Sequence, residues 1–129
     1  MADHDVIVIK IGTGVLTKED GTLDGASLAR LVNAVAVLPQ HSQRVGLVSS
    51  GAVGAGNSAL GLEEYPNDVS TRQAAAAIGQ TRLMHAYENL FRSFEVSVAQ
   101  LLLTAADLEI DAHRERVDQL LRRLVHRPA

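Results

Sequence analysis

The sequence contains no cysteine, which excludes disulfide bonds, thiolate-ligated zinc and a cysteine nucleophile. Aromatic residues make up only 3% of the 129 residues, and tryptophan is absent. No apolar run approaches the roughly 20 residues that a membrane-spanning helix needs. The acidic residues 1–5 lack the basic start of a signal peptide. We therefore expect a soluble, cytoplasmic protein.

Several common site motifs are also missing. The formal net charge of −3 gives no indication of nucleic acid or a membrane surface as a partner. Neither the dinucleotide-binding fingerprint nor the GxxxxGK[ST] phosphate loop occurs, and GLVSSG does not match the GxSxG elbow of a serine hydrolase. The histidines are scattered without metal-ligand spacing, so we identify no metal ligands; they are His4, His41, His85, His113 and His126.

The residues that are present favour an α/β protein. Hydrophobic residues make up 47% of the chain, and strand and helix patterns alternate along it. Val6–Ile11 reads VIVIKI, the pattern of a strand covered on both faces. Further strands are predicted at residues 44–48 and 95–103, with helices at about 28–38, 52–60, 71–94 and 111–126. Long helical crossovers predict parallel strands with right-handed connections.

The first candidate site follows the first strand, at Lys10, Gly12, Thr13 and Gly14. A lysine at the end of a buried strand is costly unless its ammonium group meets an anion. The glycines allow a ligand to approach the backbone and its N–H donors closely. This combination suits a phosphoryl group, although a lysine that extends into solvent beside an ordinary turn has the same pattern.

The second candidate site follows the second strand, at Ser49, Ser50, Gly51 and Ala52. A strand–Ser–Gly–helix junction leaves free N–H groups that favour a carboxylate or a phosphate. The alternative is that Ser50 only caps the helix, while Gly54 and Gly56 allow close helix packing. Both loops follow parallel strands, so we expect them at the same edge of the sheet.

Four segments resemble the amino acid kinase family. They are VIKIGTGVLT at residues 8–17, GLVSSGAVGAG at 46–56, RQAAAAIGQTRLM at 72–84 and VAQLLLTAADLE at 98–109. The resemblance implies a three-layer αβα sandwich with a mainly parallel sheet. It also implies that residues 1–129 are the N-terminal half of a kinase domain that is incomplete at the C-terminus, without its nucleotide-binding half or a PUA domain.

The same resemblance implies a reaction and the residues that perform it. The second and third segments are most similar to members that use ATP and Mg²⁺ to phosphorylate the side-chain carboxylate of L-glutamate. The product is glutamyl 5-phosphate, the first intermediate of proline biosynthesis. Lys10 would be catalytic and would bind the phosphates together with Gly12, Thr13 and Gly14. The glutamate-binding residues would be Ser50, Gly51 and Ala52.

Other interpretations of the sequence remain open. Another amino acid kinase, acting on aspartate, acetylglutamate or UMP, shares the first segment. A truncated, non-catalytic relative could instead bind an anion or pair with a complete subunit. The resemblance identifies no magnesium ligand in this chain, and we expect the 129 residues alone to be inactive. We also expect a homo-oligomer.

Overall fold

The computed structural model describes residues 6–38 and 44–125 and has an α/β fold. Two compact units divide the chain, residues 1–98 and residues 99–129. The first unit contains, in order, β1 (Val6–Ile11), α1 (Thr13–Leu16), α2 (Gly25–Ala36), β2 (Arg44–Ser49), α3 (Ala52–Asn57) and α4 (Val69–Arg92). The second contains α5 (Ala105–Glu109) and α6 (Asp111–Val125). The predicted strands at the start of the chain and at residue 44 are therefore confirmed.

The sheet of the first unit is a parallel pair, β1 beside β2. Its register places Ile9 opposite Leu47 and Ile11 opposite Ser49. Ile9, Ile11 and Leu47 belong to the hydrophobic core or pack against it. The alternate positions form the other face, where Val8 is 67% exposed. Within the described residues the sheet is thus covered on one face, whereas the sequence predicted cover on both.

The core of the first unit lies between the sheet and its helices. Leu16, Leu28 and Leu83 are almost completely buried, and they come from α1, α2 and α4. Helix α2 begins at Gly25, three residues before the predicted start, because Asp24 caps it by accepting a hydrogen bond from the Ser27 N–H at 3.2 Å. Asp68 caps α4 in the same way by accepting from Thr71 N–H at 2.8 Å.

Helices α3 and α4 pack with their backbones in contact. A Cβ atom added to Gly56 would overlap the carbonyl of Ala75, and one added to Gly79 would overlap the carbonyl of Ala52. These glycines are therefore required by helix packing. For Gly56 this agrees with the packing role that the sequence left open.

The predicted third strand is wrong. Residues 96–104 form no β-ladder, although positions 96–99 alternate between half-buried and exposed. Period-two spacing sets which side chains face the core, whereas a strand also needs a neighbouring backbone to bond. Among the described residues only β1 and β2 supply such a pair.

The second unit contains two helices in its described part, after residues 99–104, which form neither helix nor strand. Thr104 begins α5 with a capping box, since its hydroxyl accepts from the Asp107 N–H while the Asp107 carboxylate accepts from the Thr104 N–H. Along α6, Leu120, Leu121 and Leu124 are 37–48% exposed. No helix in residues 6–38 or 44–125 is long and apolar enough to cross a membrane.

Candidate functional site

The two predicted loops meet at one edge of the sheet. Lys10 pairs with Val48, and Ile11 pairs with Ser49, so both strands end at the same level. The carboxyl ends of parallel strands are where open α/β sheets bind ligands. The Gly12–Gly14 loop and the Ser50–Ala52 turn consequently begin side by side.

A shared acceptor joins these two loops. The Ile11 carbonyl accepts hydrogen bonds from the Ser50 N–H at 3.1 Å and from the Ser50 hydroxyl at 2.9 Å. The hydroxyl therefore fixes the second loop to the end of β1 and does not cap α3. A hydroxyl has one proton, so Ser50 in this state offers only oxygen lone pairs to a ligand.

Gly12 and Gly14 have no structural reason to be glycine in the described residues. Both are exposed, and a Cβ atom added to either would meet nothing within 4 Å. Gly12 has a φ of −77°, which any residue adopts. This open space distinguishes them from Gly56 and Gly79, and it leaves room for a ligand to lie directly against the loop.

Lys10 lies on the exposed face of the sheet, in line with Val6 and Val8. Among residues 6–38 and 44–125, no carboxylate lies within 4.0 Å of its ammonium group. The charge is thus available to an external anion. The same exposure also fits a lysine that simply extends into solvent.

The turn after β2 depends on a backbone conformation that favours glycine. Gly51 has a φ of +106° and is buried, and it precedes the six-residue helix α3. Its N–H has no acceptor among the described residues. A free backbone donor next to Ser50 fits the sequence-based prediction of an acidic ligand at this loop.

Comparison with known proteins identifies the family of this chain. The sequence matches the amino acid kinase family over residues 5–128. The chain belongs to the amino acid kinase family. This confirms the resemblance drawn from the four segments, and the family's α/β architecture agrees with the parallel pair of strands.

Several relatives share one name. A glutamate 5-kinase of Geobacter sp. (strain M21) is 51% identical over 110 residues, which are 85% of this chain and 29% of that protein. A glutamate 5-kinase of Symbiobacterium thermophilum is 44% identical over 119 residues, covering 92% of this chain and 45% of that protein. The chain thus spans less than half the length of these relatives.

Within residues 6–38 and 44–125, no three His, Asp or Glu side chains lie close enough together to hold a metal ion on their own. Magnesium in phosphoryl-transfer sites is usually held by one or two carboxylates together with substrate phosphates and water.

One contact of the site was not predicted from the sequence. The Ser49 hydroxyl lies 2.6 Å from the phenol oxygen of Tyr87, which is on α4 and only 3% exposed. Burial raises the pKa of the Tyr87 phenol. The pattern of α4 indicated only a packing helix, because nothing local links Tyr87 to a serine 38 positions earlier.

Proposed function

We propose that this chain provides the phosphoryl-transfer and acceptor part of a kinase that phosphorylates L-glutamate. ATP is the phosphoryl donor, and the side-chain carboxylate of glutamate is the acceptor, giving glutamyl 5-phosphate for proline biosynthesis. The main observation behind this proposal is the hydrogen bonding at the end of β1. The Ile11 carbonyl accepts from both the N–H and the hydroxyl of Ser50, and this holds residues 12–14 beside the turn at Ser50. The names of the relatives supply the substrate.

In this proposal Lys10 is the catalytic residue. A carboxylate oxygen of glutamate attacks the γ-phosphorus of ATP, the bond to the bridging oxygen breaks, and ADP leaves with that electron pair. Charge on the transferring group is stabilised by the Lys10 ammonium. Gly12, Thr13 and Gly14 line the phosphates, since their loop has open space and N–H donors.

Ser50, Gly51 and Ala52 hold glutamate in this proposal. The free N–H of Gly51 suits a carboxylate oxygen, and the Ser50 oxygen, whose proton is donated to Ile11, suits the substrate's ammonium group. These groups act by placing the acceptor in line with the phosphate, which is the main contribution of protein groups to phosphoryl transfer. Mg²⁺ is expected with the nucleotide.

The proposals on domain organisation and assembly rest on the resemblance to the amino acid kinase family. Residues 1–129 correspond to the N-terminal half of the kinase domain, and the nucleotide-binding half lies outside them. We also propose a homo-oligomer, a cytoplasmic location and no activity for these 129 residues alone. Ultracentrifugation of the protein expressed from its complete gene tests the assembly, and assay of the 129-residue chain beside it tests the activity.

The experiment for the central proposal compares the chain's two lysines, Lys10 and Lys18. The protein expressed from its complete gene is assayed with ATP, Mg²⁺ and glutamate, and hydroxylamine traps the acyl phosphate. Lys10→Met should lower kcat by roughly 100-fold or more because one positioned charge is lost. The glutamate KM should change little. The exposed Lys18 provides the matched control, Lys18→Met.

The outcomes separate the competing functions. Hydroxamate formed only with glutamate supports the proposal, whereas product from aspartate, acetylglutamate or UMP indicates another amino acid kinase. Calorimetry that detects no ATP binding to the complete protein would favour the non-catalytic relative. Near-normal turnover by Lys10→Met would exclude the role given to Lys10.

A further inference from the structure

A chain of hydrogen bonds runs from the buried face of helix α4 to the turn that we propose binds glutamate. Ser49 contacts two groups, the Tyr87 phenol oxygen at 2.6 Å and the Ser50 carbonyl oxygen at 2.8 Å. A carbonyl can only accept, so the single Ser49 proton goes to Ser50. The Tyr87 hydroxyl must then donate to the Ser49 oxygen, which fixes the direction of the whole chain.

This chain determines how one peptide bond is oriented. The described part of the chain has no cis peptides, and in a planar trans peptide the C=O and the following N–H point in opposite directions. The Ser50 carbonyl points to Ser49, on the side of Tyr87. The N–H of Gly51 therefore points away from Tyr87, and no acceptor among the described residues meets it.

Sterics alone do not fix this orientation. Gly51 has a φ of +106°, and glycine also occupies negative φ readily. Turning the Ser50–Gly51 peptide over would reverse both the carbonyl and the N–H without a Cβ penalty at residue 51. The hydrogen bond that Ser49 donates, supported by Tyr87, is then what selects one of the two orientations.

We propose that Tyr87 is a positioning residue that, through Ser49, holds the Gly51 N–H toward the substrate. This inference rests on the proposed function for its substrate, glutamate, and on the structure alone for the peptide orientation. Tyr87 is suited to this role because it is buried and stacks on Phe91 with ring centroids 6.3 Å apart. Its hydroxyl is therefore held in place by packing.

The test removes one oxygen and leaves the ring. Tyr87→Phe is made in the protein expressed from its complete gene, alongside Ser49→Ala and the double variant. The other tyrosine of the chain provides the control, Tyr65→Phe. Tyr65 is 45% exposed, and its hydroxyl has no hydrogen bond among the described residues.

The first measurement needs no substrate. Selective ¹⁵N-glycine labelling follows the Gly51 amide resonance, which should move in Tyr87→Phe and in Ser49→Ala but not in Tyr65→Phe. The second measurement is steady-state kinetics. Losing one hydrogen bond should raise the glutamate KM about fivefold to tenfold, with kcat, ATP KM and melting temperature little changed. The double variant should resemble either single variant, because both break the same chain.

Each result decides between specific claims. A Gly51 resonance that stays in place in Tyr87→Phe overturns the positioning role, whatever the substrate is. A resonance that moves while the glutamate KM stays at the Tyr65→Phe value overturns the link to substrate binding. A parent protein that does not phosphorylate glutamate refutes the proposed function, and the Gly51 resonance then still decides whether Tyr87 orients the peptide.

Discussion

The contact between α3 and α4 predicts that one substitution, Gly→Ala, changes stability in opposite directions at two positions. Gly79 lies inside α4, where an added Cβ would overlap the Ala52 carbonyl and come within 2.6 Å of the Gly56 nitrogen. Gly25 begins α2, where an added Cβ would meet nothing within 4 Å. Gly79→Ala should therefore destabilise the protein, and Gly25→Ala should not.

The expected magnitudes follow from two opposing effects. Alanine improves the intrinsic free energy of a helix interior by about 1 kcal/mol relative to glycine. Overpacking costs about 1–3 kcal/mol, and the upper end applies at Gly79 because backbone atoms, which cannot rotate away, occupy the space. Gly79→Ala should then lower the free energy of unfolding by about 2 kcal/mol. Gly25→Ala should raise it by roughly 0.5–1 kcal/mol through helix propensity and a stiffer unfolded chain.

Urea unfolding followed by far-ultraviolet circular dichroism measures both variants. With a slope of about 2 kcal/mol per molar urea, Gly79→Ala should move the midpoint down by about 1 M. The dependence of unfolding free energy on urea concentration should be equal in the parent protein and both variants. A shift of the midpoint then reports a change in stability and not a change in the unfolded state. The reasoning is refuted if Gly79→Ala unfolds at the same or a higher urea concentration than the parent protein.

Three other predictions concern the loop, the core and acid stability. Gly14→Ala should leave stability to urea nearly unchanged, since the added Cβ meets open space. It should raise the ATP KM roughly tenfold or more by displacing the phosphates. An ATP KM equal to that of the parent protein would contradict the role proposed for residues 12–14. Leu83→Ala removes a side chain that is 2% exposed and should cost about 2–5 kcal/mol in urea unfolding, whereas the half-buried Leu90→Ala should cost less. Hydrogen bonds from Thr71 hold the pKa of the Asp68 carboxyl below its ordinary 3.8. The ionised carboxylate therefore stabilises the fold above about pH 4. That stabilisation is lost as the pH falls through the lowered pKa. Asp68→Asn keeps a capping side chain that does not titrate. The variant should therefore lose less unfolding free energy below pH 4 than the parent protein does. An equal loss in both proteins would argue against the contribution of the ionised Asp68 cap.

The local features of the fold could be predicted from the sequence. The β-branched run VIVIKI predicts β1, and the predicted helix at about 28–38 overlaps most of α2. The two loops at the strand ends were also identifiable, because Lys and Gly in the first and Ser and Gly in the second are unusual there. The family resemblance added the expected chemistry. These inferences succeed because capping, strand propensity and turn conformation depend on residues close together in sequence.

The tertiary structure decided what depends on distant partners. The third strand at residues 95–103 was predicted because the segment is rich in Val and Leu, but a ladder needs a second backbone, and the described residues supply none to it. Which glycines are required by packing could also be decided only from the tertiary structure. Gly56 and Gly79 are packed against backbone, whereas Gly12 and Gly14 face open space, although all four are the same residue type.

The clearest case is the contact between Ser49 and Tyr87. The sequence by itself established the strand, the serine turn and the long helix, because each is specified by short-range spacing. It did not establish that a phenol on that helix reaches a hydroxyl 38 positions earlier. That contact follows from the packing of α4 against α3 and α2, which places the buried side chains of α4 in the same core as those of the strands.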